Sequence, residues 1–228
     1  MLSLTEHNLS LLVNPEVNIF VEHIGKSNNR IIIVDDILQN PDEFHDFICK
    51  LPIPLAQDGF PGYQLRINYD FPQLESLLLS LAKQHYGIDE REFRFNVNRF
   101  DGHHTQRRRC TYPHVDVDSS LAANIYLTKE IEGKSGTAFY KHKRSGLEYR
   151  PIFKAKYRYD SFEAVTTQDP EEFVPYIPVV DNSDFLMYNF IEGKYNRLVM
   201  YEADLFHNLF VEEGTYMNQT RDSLAVFL

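Results

Sequence analysis

Cysteine is scarce in this chain: its 228 residues hold only Cys49 and Cys110, and neither belongs to a CxxC pattern. A disulfide framework and a cysteine-rich zinc site are thereby disfavoured, and both side chains read as reduced thiols. Long apolar runs are missing as well. No stretch reaches the roughly 18 to 20 residues that a membrane span needs, and the opening MLSLTEHNLSLLVNPEVN has neither the basic flank nor the small-residue cleavage site of a secretory signal. The expectation is a cytoplasmic protein with no membrane partner. Positive charge is in deficit: 23 Lys and Arg against 33 Asp and Glu give a formal net charge of -10. That balance argues against a nucleic-acid partner, whose phosphate backbone selects for basic surfaces. The sequence also has no internal repeat, heptad run or low-complexity tract.

What the chain does have is 43% hydrophobic residues, enough to bury one substantial core, so a single domain over 1–228 is expected. RIIIVDDIL (30–38) and EFRFNVNRF (92–100) are rich in β-branched or aromatic residues and partly alternate, which predicts strands. Two helices are expected between them. The first follows Asn40-Pro41, with Asn suited to the N-cap and Pro to the first turn, and carries apolar residues at 44, 47, 48 and 51. The second, FPQLESLLLSLAKQHYG, has leucines at 74, 77, 78 and 81 and stops near Gly87. Beyond residue 92 the pattern changes to short strand-like runs: AANIYLT (122–128), GTAFYKHK (136–143), YNRLVMYEA (195–203), HNLFVEE (207–213) and SLAVFL (223–228). Many strands without long helices between them predict a sandwich or barrel. Residues 144–192 read as an irregular insertion with one short helix near 160–166. The expected fold is mainly β with flanking helices, the strands and helices of 1–91 forming a layer on one sheet of a β core at 92–228.

The chemistry concentrates in YPHVDVDSS (112–120), where His114 stands two places before Asp116. About 0.6 such pairs arise by chance in a chain of this composition, so the pair needs company. In a strand, residues i and i+2 share a face, so an imidazole nitrogen and a carboxylate oxygen can reach one ion. A third ligand is available at His207, at the start of another expected strand. Two histidines and a carboxylate with open positions remaining suit non-haem Fe(II), whereas a closed structural zinc site wants a fourth protein ligand. Fourteen residues further on, Arg221 leads the last apolar run. A guanidinium inside a barrel is costly unless it meets an anion, and its planar fork matches a carboxylate.

In that order NVNRFDG, YPHVD, NIYLT, SGTAFY, RLVMYEADLFHNLF and TRDSLAVFL resemble the 2-oxoglutarate and Fe(II)-dependent oxygenase superfamily, from about residue 92 to the last residue. The resemblance implies a double-stranded β-helix, a jelly-roll or cupin-like core. It implies Fe(II) held by His114, Asp116 and His207, with 2-oxoglutarate as cosubstrate and its distal carboxylate on Arg221. Tyr126 is a further candidate for a hydrogen bond to the cosubstrate. The implied activity is hydroxylation with release of succinate and CO2, and a carboxylate at position 116 argues against halogenation. YNR before the distal histidine is similar to a bacterial branch whose substrates are not assigned. Two departures stand out: Phe100 occupies a place where some members have tyrosine, and Arg221 follows His207 by fourteen residues rather than about ten, which fits an enlarged turn around Gly214.

Plainer readings stand beside these. His114 and Asp116 fit a turn pair, His207 a satisfied core histidine, Arg221 a surface ion pair and Tyr126 simple packing. Adjacent His103 and His104 cannot both face one site in a strand and read as surface loop. His142 is placed at a pocket mouth by no pattern. Arg107-Arg108-Arg109 fits either attraction of an acidic substrate or a solvated loop. At the level of function the alternatives are a non-catalytic cupin-like metal or small-molecule binding protein and a metal-free interaction protein. The substrate, a small molecule or peptide, is not encoded in any motif.

Overall fold

The structure, a computed structural model, describes residues 11–56, 62–89, 92–102, 105–107, 112–129, 133–150, 173–175 and 179–228. The elements run β1 (Asn18–Ile24), β2 (Asn29–Asp35), α1 (Pro41–Cys49), β3 (Tyr63–Ile67), α2 (Pro72–Tyr86), β4 (Arg94–Asp101) and β5 (Thr105–Arg107). They continue as β6 (Leu121–Tyr126), β7 (Ser135–His142), β8 (Phe173–Pro175), β9 (Phe185–Glu192), β10 (Leu198–Glu202), β11 (His207–Val211) and β12 (Thr220–Phe227). Helix α2 ends as its sequence demands, with Gly87 in the left-handed conformation at φ 72°. At its other end Phe71 N–H donates to Glu75 Oε1 at 3.0 Å, so a first-turn carboxylate satisfies the N-cap amide.

Among the described residues, seven antiparallel strands form a large sheet in the order β1-β2-β10-β6-β12-β4-β3, and β11-β7-β9 form a small one. The inner strands of the large sheet are buried on both faces, and period-two alternation sorts their side chains. Ile32, Val34, Phe95, Val97, Ile125, Met200, Leu224 and Val226 turn toward the helices, where they meet Phe44, Ile48, Leu74, Leu78 and Leu81. Ile31, Ile33, Tyr126, Val199 and Tyr201 turn the other way and pack with Phe139 and Ile191 of the small sheet. Two facing sheets with the helices stacked outside the larger one make the expected jelly-roll core and helical layer. No helix among the described residues is long and apolar enough to cross a membrane.

Several local expectations change. Phe185–Glu192, inside the stretch read as irregular, is strand β9 and pairs with β7 from Gly136↔Glu192 to His142↔Phe185. FLMYNFIE shows no clean alternation because its middle residues are all half-buried, so the period-two signal is lost. Strands β1 and β3 also lie outside the expected set. β1 is an edge strand whose Ile19, Phe20 and Val21 are exposed, which hides it from a core-seeking pattern. Strand β2 ends at Asp35, three residues short of expectation, because Asp36 takes φ 54°. Asn40 precedes α1 but makes no side-chain cap: its Oδ1 accepts from Leu12 N–H at 3.1 Å and its Nδ2 donates to Glu43 at 3.1 Å. The helix expected near 160–166, His103, His104, Arg108, Arg109 and Cys110 lie outside the described residues.

Helix α1 is pinned to the sheet through Asp222, a buried carboxylate on β12. Arg99 Nε donates to it at 2.6 Å, Thr220 Oγ1 at 2.8 Å, and His45 Nε2 lies 3.3 Å away. Burial alone would raise the pKa of Asp222, but His45, Arg99 and Thr220 outweigh it and hold the carboxyl below its ordinary 3.8. The stability this contributes is therefore present above the ordinary carboxylate value and lost as pH falls through the lowered one. Asp222→Asn should destabilise the chain by about 3 kcal/mol at neutral pH and flatten the loss of stability below pH 4, read by urea denaturation across pH. A second constraint is steric. A Cβ at Gly136 would lie 2.1 Å from the Ile191 carbonyl oxygen and 2.9 Å from Gly193 N. Gly136→Ala should force β7 from β9 and cost roughly 2 to 3 kcal/mol in thermal denaturation.

Candidate metal and anion-binding site

The segment bearing His114 crosses the end of the small sheet and pairs with β11 at one point. His114 N–H donates to the His207 carbonyl at 2.9 Å, and His207 N–H donates to the His114 carbonyl at 3.0 Å. Facing residues in an antiparallel bridge project to the same side. The imidazoles accordingly stand 4.5 Å apart, centre to centre. Asp116, two residues on, is fixed by its own N–H to the Ala203 carbonyl at 2.8 Å. Its carboxylate lies 3.3 Å from His207 Nε2 and 4.0 Å from His114 Nε2. The three expected ligands, drawn from two remote parts of the chain, thus bring one donor atom each within 4.8 Å of one another.

Their electrostatics form one system. Burial opposes the Asp116 carboxylate, yet His207 and then His114 more than offset it, so its pKa is lowered. Burial also opposes a charged His207, but Asp116 outweighs that and raises it. His114 goes down, first through loss of water and then through His207. His207 Nδ1 lies 2.8 Å from the Leu205 carbonyl, a contact that needs a proton on Nδ1 and, in the neutral ring, leaves Nε2 as the lone-pair donor. Two imidazole nitrogens and one carboxylate oxygen fit a divalent transition metal with open positions, as in a non-haem iron centre. His114 is the accessible member, its side chain 40% exposed against 6% for His207.

The other end of the inter-sheet space holds Arg221. Its position in β12, directly opposite Phe100, turns it inward, and it is only 4% exposed. Nε donates to Ser135 Oγ at 3.0 Å, Nη1 to Ser223 Oγ at 3.5 Å, and the guanidinium lies 5.1 Å from the centre of the Tyr126 ring. All of these partners are neutral, and among the described residues no carboxylate pairs with it. Tyr126 has its hydroxyl 2.7 Å from Thr137 Oγ1, and burial raises its pKa despite Arg221. Tyr201 bridges the two ends. Its ring stands 4.8 Å from that of His207, and its phenol, raised well above the ordinary value by burial and next by Asp116, also feels Arg221.

Ser135, Thr137, Ser223 and Tyr201 were not singled out from sequence, although the signal existed. SGT and RDS put their outer residues on one face of a strand, so a partner for Tyr126 or Arg221 could have been sought two places along. His142 ends β7 with Nδ1 2.8 Å from Ser145 Oγ, apart from the three candidate ligands. A second group, His45, Cys49 and Asp222, also converges. There the Arg99 guanidinium already bonds both Asp222 and Cys49, the latter at 3.6 Å, and burial raises the Cys49 thiol pKa. That cation serves as the counter-charge.

No curated protein matches the sequence. Several solved structures share features of its shape. One comes from work on prolyl 4-hydroxylases of Phytophthora capsici, at 14% identity and TM-score 0.46, and covers 86% of this chain and 57% of that one. This chain therefore spans little more than half of that relative's length. A prolyl-4-hydroxylase from Pseudomonas putida matches at 12% identity and TM-score 0.43, covering 81% and 80%. The non-haem alpha-ketoglutarate-dependent carbocyclase SnoK of nogalamycin biosynthesis matches at 10% and 0.47, covering 89% and 83%. A family defined on sequence spans nearly all of the described core, residues 15–222: the chain belongs to the family of unknown function DUF6445.

Proposed function

We propose that the chain is an Fe(II)- and 2-oxoglutarate-dependent oxygenase that hydroxylates an unidentified small molecule or peptide. The observation that carries this reading is the meeting of His114, Asp116 and His207 across a single antiparallel bridge. Bound iron would supply the oxidising chemistry, using dioxygen and 2-oxoglutarate, with succinate and CO2 as co-products. The chain's own residues bind and orient. His207 offers Nε2 because Leu205 holds the proton on Nδ1. Asp116 stays ionised because both imidazoles favour its charge. Arg221 holds an anion in a space screened from water, where its attraction is little weakened. Ser135 and the Tyr126 ring fix the direction of its fork.

Anaerobic titration with Fe(II) should show one equivalent bound. His114→Ala and Asp116→Ala should weaken it by more than the roughly 10- to 100-fold typical of a residue that only orients a ligand. 2-Oxoglutarate should raise the melting temperature of the metal-loaded chain, and slow iron-dependent succinate formation should follow even without substrate. Metal binding without succinate under any candidate substrate would favour the non-catalytic metal-binding protein, and absence of metal binding would overturn both the oxygenase and that metal-binding alternative. Arg221→Ala should leave metal content unchanged and raise the 2-oxoglutarate Kd by at least about 100-fold, just below the low end of what two charge-assisted hydrogen bonds supply, read by calorimetry.

A further inference from the structure

The longer connection between His207 and Arg221 places a tyrosine where the anion end of the site lies. Tyr216 has φ 62°, a left-handed conformation that a tyrosine keeps only where its surroundings enforce it. The enforcement is visible. Gly102 N–H donates to the Tyr216 carbonyl at 3.1 Å, and a Cβ at Gly102 would lie 2.5 Å from Thr215 O, so the turn is clamped against β4. The ring, 3% exposed, meets Phe100 edge-on at 6.3 Å and packs with Val211. Phe100 is the ladder partner of Arg221, and Val211 is the ladder partner of Ser135. Tyr216 therefore closes the gap between the sheets beside the guanidinium and the serine that orients it.

Its hydroxyl is buried and, among the described residues, finds no hydrogen-bond partner. Ser135 is close by, but it serves Arg221, and no bond of acceptable geometry closes from Tyr216. An unpartnered buried hydroxyl is unfavourable, and native folds keep few without a use. Every polar group gathered here can donate: a guanidinium, the Ser135 hydroxyl and the Tyr216 hydroxyl. The missing element is an acceptor with negative charge.

We propose that Tyr216 is a second donor, beside Arg221, to the distal carboxylate of the bound keto acid, and so sets the preference for a dicarboxylate. The inference rests on the oxygenase reading for the identity of that ligand and on the unpartnered hydroxyl for the role of Tyr216. The Arg221 cation favours the phenolate of Tyr216, but burial outweighs it and raises the pKa, so the group remains a donor at neutral pH.

The test titrates 2-oxoglutarate and 2-oxopentanoate, which share the chelating end and differ in the distal carboxylate, into the Mn2+-loaded chain. Tyr216→Phe keeps the ring and removes the hydroxyl. It should weaken 2-oxoglutarate about tenfold, leave 2-oxopentanoate within about twofold, and leave the melting temperature of the ligand-free chain unchanged or higher. Equal loss for both keto acids, or no loss, would overturn the assignment. If the variant does not fold, a wild-type chain that binds the two keto acids equally well overturns it, and a preference for 2-oxoglutarate that Arg221→Lys only partly removes supports it. Should the wild type bind neither keto acid, glutarate is titrated into the metal-free chain. Glutarate binding weakened by Tyr216→Phe would keep the carboxylate site while rejecting the oxygenase reading, and no glutarate binding would reject both.

Discussion

Two backbone hydrogen bonds, exchanged between His114 and His207, are what the candidate centre depends on. They set the separation and facing of the imidazoles without any contribution from the side chains themselves. Because each residue is both donor and acceptor in the exchange, a slip of one residue would turn one imidazole to the opposite face. The Asp116 N–H bond to Ala203 does the same for the carboxylate and ties it to the turn before β11. Ligand geometry here is a by-product of strand register, which makes it as rigid as the sheet end to which it belongs.

The same alternation divides β12 into two faces. Arg221 and Ser223 face the space between the sheets, and Asp222 between them faces the helical layer. One strand thus carries a buried cation with neutral company on one side and a buried anion saturated with partners on the other. The contrast is informative. Asp222 is engaged by Arg99, His45 and Thr220, as structural buried charges are, whereas Arg221 is oriented by hydroxyls and a ring, and among the described residues no carboxylate answers its charge. A charge kept in that condition points to a ligand more strongly than the ion pair does.

Much of this was legible in the residues. The helices announced themselves through leucine spacing and Gly87, and β6, β7, β10, β11 and β12 through apolar runs between turn residues. His114, Asp116, His207, Tyr126 and Arg221 stood out as candidates through residue type and order, and the first three meet across one bridge. What stayed hidden depended on neighbours far away in the chain. β9 is recognisable only beside β7, and β1 carries its apolar residues on the outside. Tyr216 looks like any turn residue until its ring is found against Phe100, and Asn40 looks like a helix cap until Leu12 claims its oxygen. Local pattern reads an element that is amphipathic by itself. It does not read one whose role is assigned by a partner elsewhere in the chain.

β11 lies in the small sheet and β12 in the large one, so the link from His207 to Arg221 passes between layers and is not a hairpin. A hairpin loop would lock the pairing of its two arms and tolerate few lengths. An inter-layer crossing imposes no such arithmetic: residues can be added or removed while both ends keep their places in space. The fourteen-residue spacing from His207 to Arg221 is therefore set by the span between two layers and not by the geometry of a turn, and extra length there can wall the space between the sheets without moving either end.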